Sequence, residues 1–162
     1  MPEIAQQVSA ANHKVMDELS CRLINALLTQ TKLPLGQIAN HAGLANPRAL
    51  NRETQRLFNA TAANLRAKHA DTNELAKDSL LGEAITVELP VQGPYDLGWV
   101  FDYLAARALE GIERVKDHHS QRRVSPAGAT PVYVHVYAQK RALHTRLPLS
   151  CGSAQSWLAR VV

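Results

Sequence analysis

Cysteine is scarce. The 162 residues contain two, Cys21 and Cys151, far apart and outside any C-x-x-C spacing. That excludes a zinc site built from cysteine alone and argues against a disulfide framework. Two reduced, partly buried thiols are expected instead. Long apolar runs are also lacking. No stretch approaches the length of a membrane span, and the N-terminus has no charged-then-apolar leader, so a soluble cytoplasmic protein is expected. The seven histidines are scattered. Only His118 and His119 are adjacent, and neighbours on a strand point to opposite faces, so no shared metal is expected. Neither an internal repeat nor a low-complexity tract is present.

What is present suits a folded chain with a mild basic bias. Hydrophobic residues make up 46% of the sequence, enough for one ordinary domain or two small ones. The formal net charge of +4 permits a nucleic-acid partner without requiring one. The hydrophobic period changes partway along the chain. Residues 1–15 are polar and weakly patterned, so a frayed start or the tail of the first helix is expected there. From Met16 to about Thr29, Leu19, Leu23, Ile24, Leu27 and Leu28 form a helical stripe. A short helix over 35–42 follows, with Leu35, Ile38, Ala39 and Ala42 on one face and Gly43 ending it. Asn46 is a good N-cap and Pro47 fits the first helical position, so a helix is expected from Pro47 to Phe58, with Leu50, Leu57 and Phe58 inward. Asn59 suits its left-handed C-terminal position, and Thr61 caps a last short helix with Leu65 inward.

Residues 69–83 are polar and read as a linker. Beyond them the pattern alternates. Ile85, Val87 and Leu89 mark a half-buried strand closed by Pro90. Gly93 to Ile112 reads as a complete amphipathic helix on which the sheet packs. Asp96 caps it, Leu97, Val100, Phe101, Leu104, Ala105 and Ala108 form the stripe, and Gly111 ends it. Ile112 to Val124 is expected to be a strand returning through a turn near His118. Residues 125–131 are a loop by composition. Val132, Val134 and Val136 alternate with Tyr133, His135 and Tyr137. With Leu143, Thr145 and Leu147 they make a hairpin turning at Gln139-Lys140-Arg141. Ser153 starts a final helix whose stripe is cut off at Val162. The expected fold class is α+β: an all-α domain over 1–68, a linker over 69–83, and over 84–162 a small antiparallel sheet packed on helices.

The helices up to Lys68 fit a helix-turn-helix unit, with Pro47–Phe58 as the recognition helix. Its outer face presents Arg48, Asn51, Arg52, Gln55 and Arg56, residue types suited to the major groove. N-terminal positions usually meet bases, so base reading falls to Arg48, Asn51 and Arg52. Phosphate contacts fall to Gln55, Arg56, Arg66 and Lys68. Between Gly43 and Lys68 the sole acid is Glu53, against Arg48, Arg52, Arg56, Arg66 and Lys68. By charge alone, a solvated helix face explains these residues equally well.

The stretch Leu33-Pro34-Leu35-Gly36-Gln37-Ile38-Ala39-Asn40-His41-Ala42-Gly43-Leu44, then Leu50-Asn51-Arg52 and Leu57-Phe58-Asn59-Ala60-Thr61, resembles the second helix-turn-helix of AraC-type transcriptional regulators. It departs at Leu44 and Leu50, where the family carries Phe, at Asn59 for Gly and at Ala62 for Pro. The resemblance implies double-stranded DNA as the partner. The family uses two such units in tandem, and one alone implies weak, strongly salt-dependent binding.

Pro94-Tyr95-Asp96, Trp99, Leu104-Ala105-Ala106-Arg107-Ala108, Glu113, Val115 and Arg122 resemble the N-terminal domain of DNA-3-methyladenine glycosylase II. Leu97 departs, where that family has Trp, and so does His119-Ser120. The combination resembles the bifunctional bacterial adaptive-response proteins, whose methyl-acceptor domain and helix-hairpin-helix glycosylase domain are not in this sequence. The resemblance therefore carries over no catalytic residue, no cofactor and no metal site. It implies a DNA-binding fragment or remnant of an alkylation-repair protein, its second domain a scaffold or a surface for a glycosylase domain or another protein. Asp96 is expected to serve as a cap and Asp102 as a solvated position. Arg107 is expected to pair with Asp102, Asp96 or Glu110. Two alternatives stand beside this reading. One is part of a longer 3-methyladenine glycosylase. The other is a ligand-sensing regulator, which a pocket lined by Tyr133, Tyr137 and Trp99 would favour.

Overall fold

A computed structural model describes residues 2–68, 84–91, 93–125, 131–139, 142–151 and 154. They fall into two compact units, within residues 1–75 and 76–154. The architecture is α+β: five α-helices and a five-stranded antiparallel sheet among the described residues. The expected linker over 69–83, most of the loop over 125–131, the turn at 140–141 and the final helix after Ser153 lie outside the described residues, Ala154 excepted. No helix among the described residues is long and apolar enough to cross a membrane.

In the first unit α1 (Pro2–Gln30) is one continuous helix, longer than its apolar stripe. The first half hides from a hydrophobic period. It nonetheless has Pro at the first helical position and Ala, Glu and Gln without Gly after it, a helix-permissive composition. Thr31 ends α1 buried, its hydroxyl donating to the Leu27 carbonyl at 2.7 Å. Then come α2 (Leu35–His41), α3 (Pro47–Phe58) and α4 (Ala62–Lys68). Gly43 sits at φ 70°, while its amide donates to the Asn40 carbonyl and the Leu44 amide to the Ala39 carbonyl. This is the paired C-terminal bonding that a left-handed glycine permits. Leu23, Ile24, Leu27, Ile38, Leu50 and Ala62 are fully buried and make the core.

In the second unit the strands are β1 (Ala84–Pro90), β2 (Glu113–Lys116), β3 (His119–Val124), β4 (Val132–Gln139) and β5 (Ala142–Pro148), in the order β1-β5-β4-β3-β2. Register pairs Ile85 with Leu147, Val87 with Thr145, and Val136 with Thr145. The side chains of Ile85, Val87, Val134, Thr145 and Leu147 are buried. The opposite face carries Tyr133, His135 and Tyr137, with Tyr133 exposed and the other two half-buried. β2 and β3 turn at Asp117 and His118, both left-handed (φ 50° and 62°), as a two-residue hairpin of the primed type requires.

The helix expected from Asp96 to Glu110 is shorter. α5 spans Leu97–Ala105, and tight turns carry the chain on to Gly111, at φ 80°. It packs against β2 and β3. Phe101 is its buried residue, ring to ring with His118 at 5.8 Å. Leu104 and Ala105, placed on the inner stripe by their spacing, are exposed. A helix this short is held by the face it buries, and beyond Ala105 that support is gone.

Candidate nucleic-acid interface

α3 is fixed at both ends by its own sequence. Asn46 stands extended at φ −166°, and its side-chain oxygen accepts from the Ala49 amide at 2.9 Å, with Pro47 following at the first helical position. Asn59 closes the helix at φ 52°, its amide donating to the Gln55 carbonyl at 3.1 Å. The inner face is Leu50 and Thr54, both fully buried, while Leu57 and Phe58 are half-buried. Thr54 was missed by a reading that admits only apolar residues to the core. Its hydroxyl donates to the Asn51 carbonyl at 3.0 Å, which satisfies it locally and lets it pack as a methyl-bearing side chain.

The outer face divides into free and committed side chains. Arg48 and Arg52, one turn apart near the start of α3, are exposed and have no ion pair among the described residues. Lys68, at the end of α4, is likewise exposed. Gln55 is exposed and donates to the Asn59 side chain at 3.2 Å. Arg56 is committed: it pairs with Glu53 on its own helix and with Asp17 of α1 at 3.1 Å. These hydrogen bonds, Glu53 first and then Asp17, raise its already high pKa further. Arg66 donates to the Leu33 carbonyl, holding α4 to the connection between α1 and α2. Asn51 is half-buried, and its carboxamide oxygen accepts from the Ala62 amide at 3.1 Å, capping α4. The Glu53–Arg56 spacing of three was a legible warning of an ion pair. The Asp17 and Ala62 partners, distant along the chain, gave none.

Elsewhere the chemistry is quiet. Cys21 is a half-buried free thiol, and burial pushes its pKa up, away from the reactive thiolate. Among the described residues no three His, Cys, Asp or Glu side chains cluster as metal ligands. His118 stacks on Phe101 and His119 on Tyr137, so the adjacent pair is split between two environments. Asp96 caps α5, accepting from the Trp99 amide at 3.0 Å, and Asp102 is exposed. Arg107 makes no ion pair with Asp96, Asp102 or Glu110 among the described residues. It lies over the Tyr103 ring, 3.8 Å from the centroid, because the chain leaves the helix at Ala105 and folds the guanidinium back. A cavity of about 310 Å³ in the second unit is lined by Gly111, Ile112, Glu113, Arg114, Gln121 and Tyr133, and neither Tyr137 nor Trp99 contributes.

Comparison with known proteins gives matches over part of the chain. Residues 86–162 match the AlkA N-terminal domain family. Two curated relatives, each described as a probable bifunctional transcriptional activator/DNA repair enzyme AlkA, come from Mycobacterium tuberculosis strains CDC 1551 and H37Rv. Each is 35% identical over 91 residues, which is 56% of this chain and 18% of the relative. The chain therefore spans less than a fifth of the length of the relatives it matches. Residues 86–162 are thus similar to the AlkA N-terminal domain, and part of the chain is similar to part of bifunctional AlkA proteins.

Proposed function

We propose that this chain is the DNA-binding part of an alkylation-repair regulator/glycosylase. In this reading residues 1–68 form an AraC-type helix-turn-helix domain that inserts α3 into the major groove of double-stranded DNA. Residues 69–83 are its linker, and 84–162 a non-catalytic scaffold. The observation that carries the proposal is the pair Arg48 and Arg52: exposed, unpaired among the described residues, and set by the Asn46 cap at the start of α3. Guanidinium groups there suit bidentate contacts to guanine edges. Gln55 continues the same face towards the backbone, and Lys68 supplies a further cation for phosphate.

Three other residues take qualified parts. Asn51 keeps its NH2 group for an adenine edge, while its oxygen holds α4 in place. Arg56 meets phosphate only by giving up Asp17 or sharing it, and Arg66 only by releasing the Leu33 carbonyl. Few free cations imply few displaced counterions, so binding is weak and falls with salt along a shallow slope, not the steep one expected from the resemblance. A band-shift titration with duplex DNA across salt tests this. Arg48→Ala with Arg52→Ala should weaken binding at least about thirtyfold. No binding at low salt, or no change in the double variant, overturns the assignment. Released 3-methyladenine is expected to be absent when this chain alone is assayed on alkylated DNA, and its appearance would favour a catalytic second unit over a scaffold.

A further inference from the structure

The face of the sheet opposite its buried residues is not an ordinary solvated surface. Register sets its side chains in two rows across the strands. One row runs Lys116, His119, Tyr137, His144 and Glu88, and the other Arg114, Gln121, His135 and Arg146. In the first row the rings stack in series, His119 on Tyr137 at 5.4 Å and Tyr137 on His144 at 5.2 Å, with planes within 17° of parallel. In the second row the Gln121 amide and a His135 ring nitrogen lie 2.9 Å apart. Arg123, paired with Tyr133, adds a cation beside the rows. The charge is lopsided: Arg114, Lys116, Arg123 and Arg146 against Glu88 and Asp117, the latter 3.9 Å from the Lys116 ammonium.

The cavity opens at one end of this face. Tyr133 lines it, 46% exposed, with Ile112 beside it, Arg114 and Gln121 at its polar side, and Glu113 neutralised by Arg122 at 3.1 Å. An aromatic ring, an aliphatic side chain, an amide and a guanidinium around an open cavity suit a flat, polar-edged group attached to an anion. A nucleobase with its phosphate has that form, and only an unpaired base is free to enter.

We infer that this face binds single-stranded nucleic acid, with an unstacked base against Tyr133 in the cavity and the phosphodiester backbone on Arg114, Lys116 and Arg123. Sequence preference is slight, because stacking and charge accept any base. Its residues lie in the second unit and α3 in the first, so the two can be silenced independently.

The test uses the whole chain carrying Arg48→Ala and Arg52→Ala, with a fluorescein-labelled oligothymidylate followed by anisotropy over a salt series. Binding is expected to survive those two substitutions. Adding Arg114→Gln and Arg123→Gln should weaken it at least about tenfold and lower the salt slope by about 0.7 per lost phosphate contact. Tyr133→Ala should weaken it about tenfold, while Tyr133→Phe retains it. Arg114 and Arg123 are exposed, so their variants keep the fold, and circular dichroism verifies this. Should Tyr133→Ala unfold the unit, photo-crosslinking of a bromouridine-substituted oligonucleotide to the segment containing Tyr133 replaces it. Failure of the parent to bind at low salt, indifference to the Arg pair, or equal competition by duplex DNA for the same residues each overturns the inference. None of these outcomes bears on duplex binding by α3.

Discussion

α3 and α5 begin alike and end differently. Each is started by a side chain one residue ahead of it, Asn46 accepting from Ala49 and Asp96 from Trp99. α3 also has a built stop at Asn59, buries one face through Leu50 and Thr54, and gives the other to arginines. α5 has no comparable stop, and Phe101 is its buried anchor. Trp99 and Tyr103 on it, and Tyr95 just ahead of it, are exposed, Trp99 63% exposed and stacked on Tyr103 at 5.5 Å. The lesson is that a cap is a local event and travels with the sequence. A helix's end and its outer face depend on what the rest of the fold offers it.

The comparison can be pressed hardest at the two anchors. Leu50→Ala should cost the first unit about 2–5 kcal/mol, and Phe101→Ala the second about 3–5 kcal/mol, read from denaturant unfolding of each variant. A small loss at Phe101 would mean that α5 is not held by that ring. Next come the starts. Asn46→Ala and Asp96→Ala should each cost about 1 kcal/mol, and a clear inequality between them would break the likeness drawn above. Trp99→Ala, on the exposed side of α5, should cost less than about 1 kcal/mol in the same assay, because little packing is lost.

A smaller effect depends on acidity. Burial, then Arg146 and His119, hold His135 below the ordinary histidine pKa. The unfolded chain takes up that proton near pH 6.5 and the folded unit does not. His135 therefore costs nothing well above that pH, and stability falls as pH drops through it towards the folded value. Protection factors at β4 amides, taken relative to the intrinsic exchange rate at each pH, should fall between about pH 7.5 and 5.5, and His135→Gln should flatten part of that fall.

Much of the fold was legible because its signals are local. The α2–α3–α4 boundaries followed from Gly43, Asn46, Pro47, Asn59 and Thr61. The alternation at Ile85–Leu89 and Val132–Tyr137 gave strands and the face each residue takes. What escaped was long-range. The length of α5 depended on where β2 and β3 stop supporting it, and Thr54 entered the core by satisfying its hydroxyl within the helix. On the α3 surface, Arg48 and Arg52 read correctly as outward-facing, whereas Arg56 and Asn51 owe their engagements to Asp17 and Ala62, which no spacing rule links to them.

The strand order has a kinetic side. β1 pairs with β5, joining Ala84 to Pro148 across almost the whole second unit, whereas the β2–β3 hairpin closes over two residues. Closing the longer loop costs more chain entropy before any contact repays it. β1 is therefore expected to dock last, onto a sheet already assembled from β2 to β5. Until it does, the edge of β5 and the inner side chains Thr145 and Leu147 stand open, which makes the arrival of β1 the step at which a slow-folding chain is most exposed to pairing with another copy of itself.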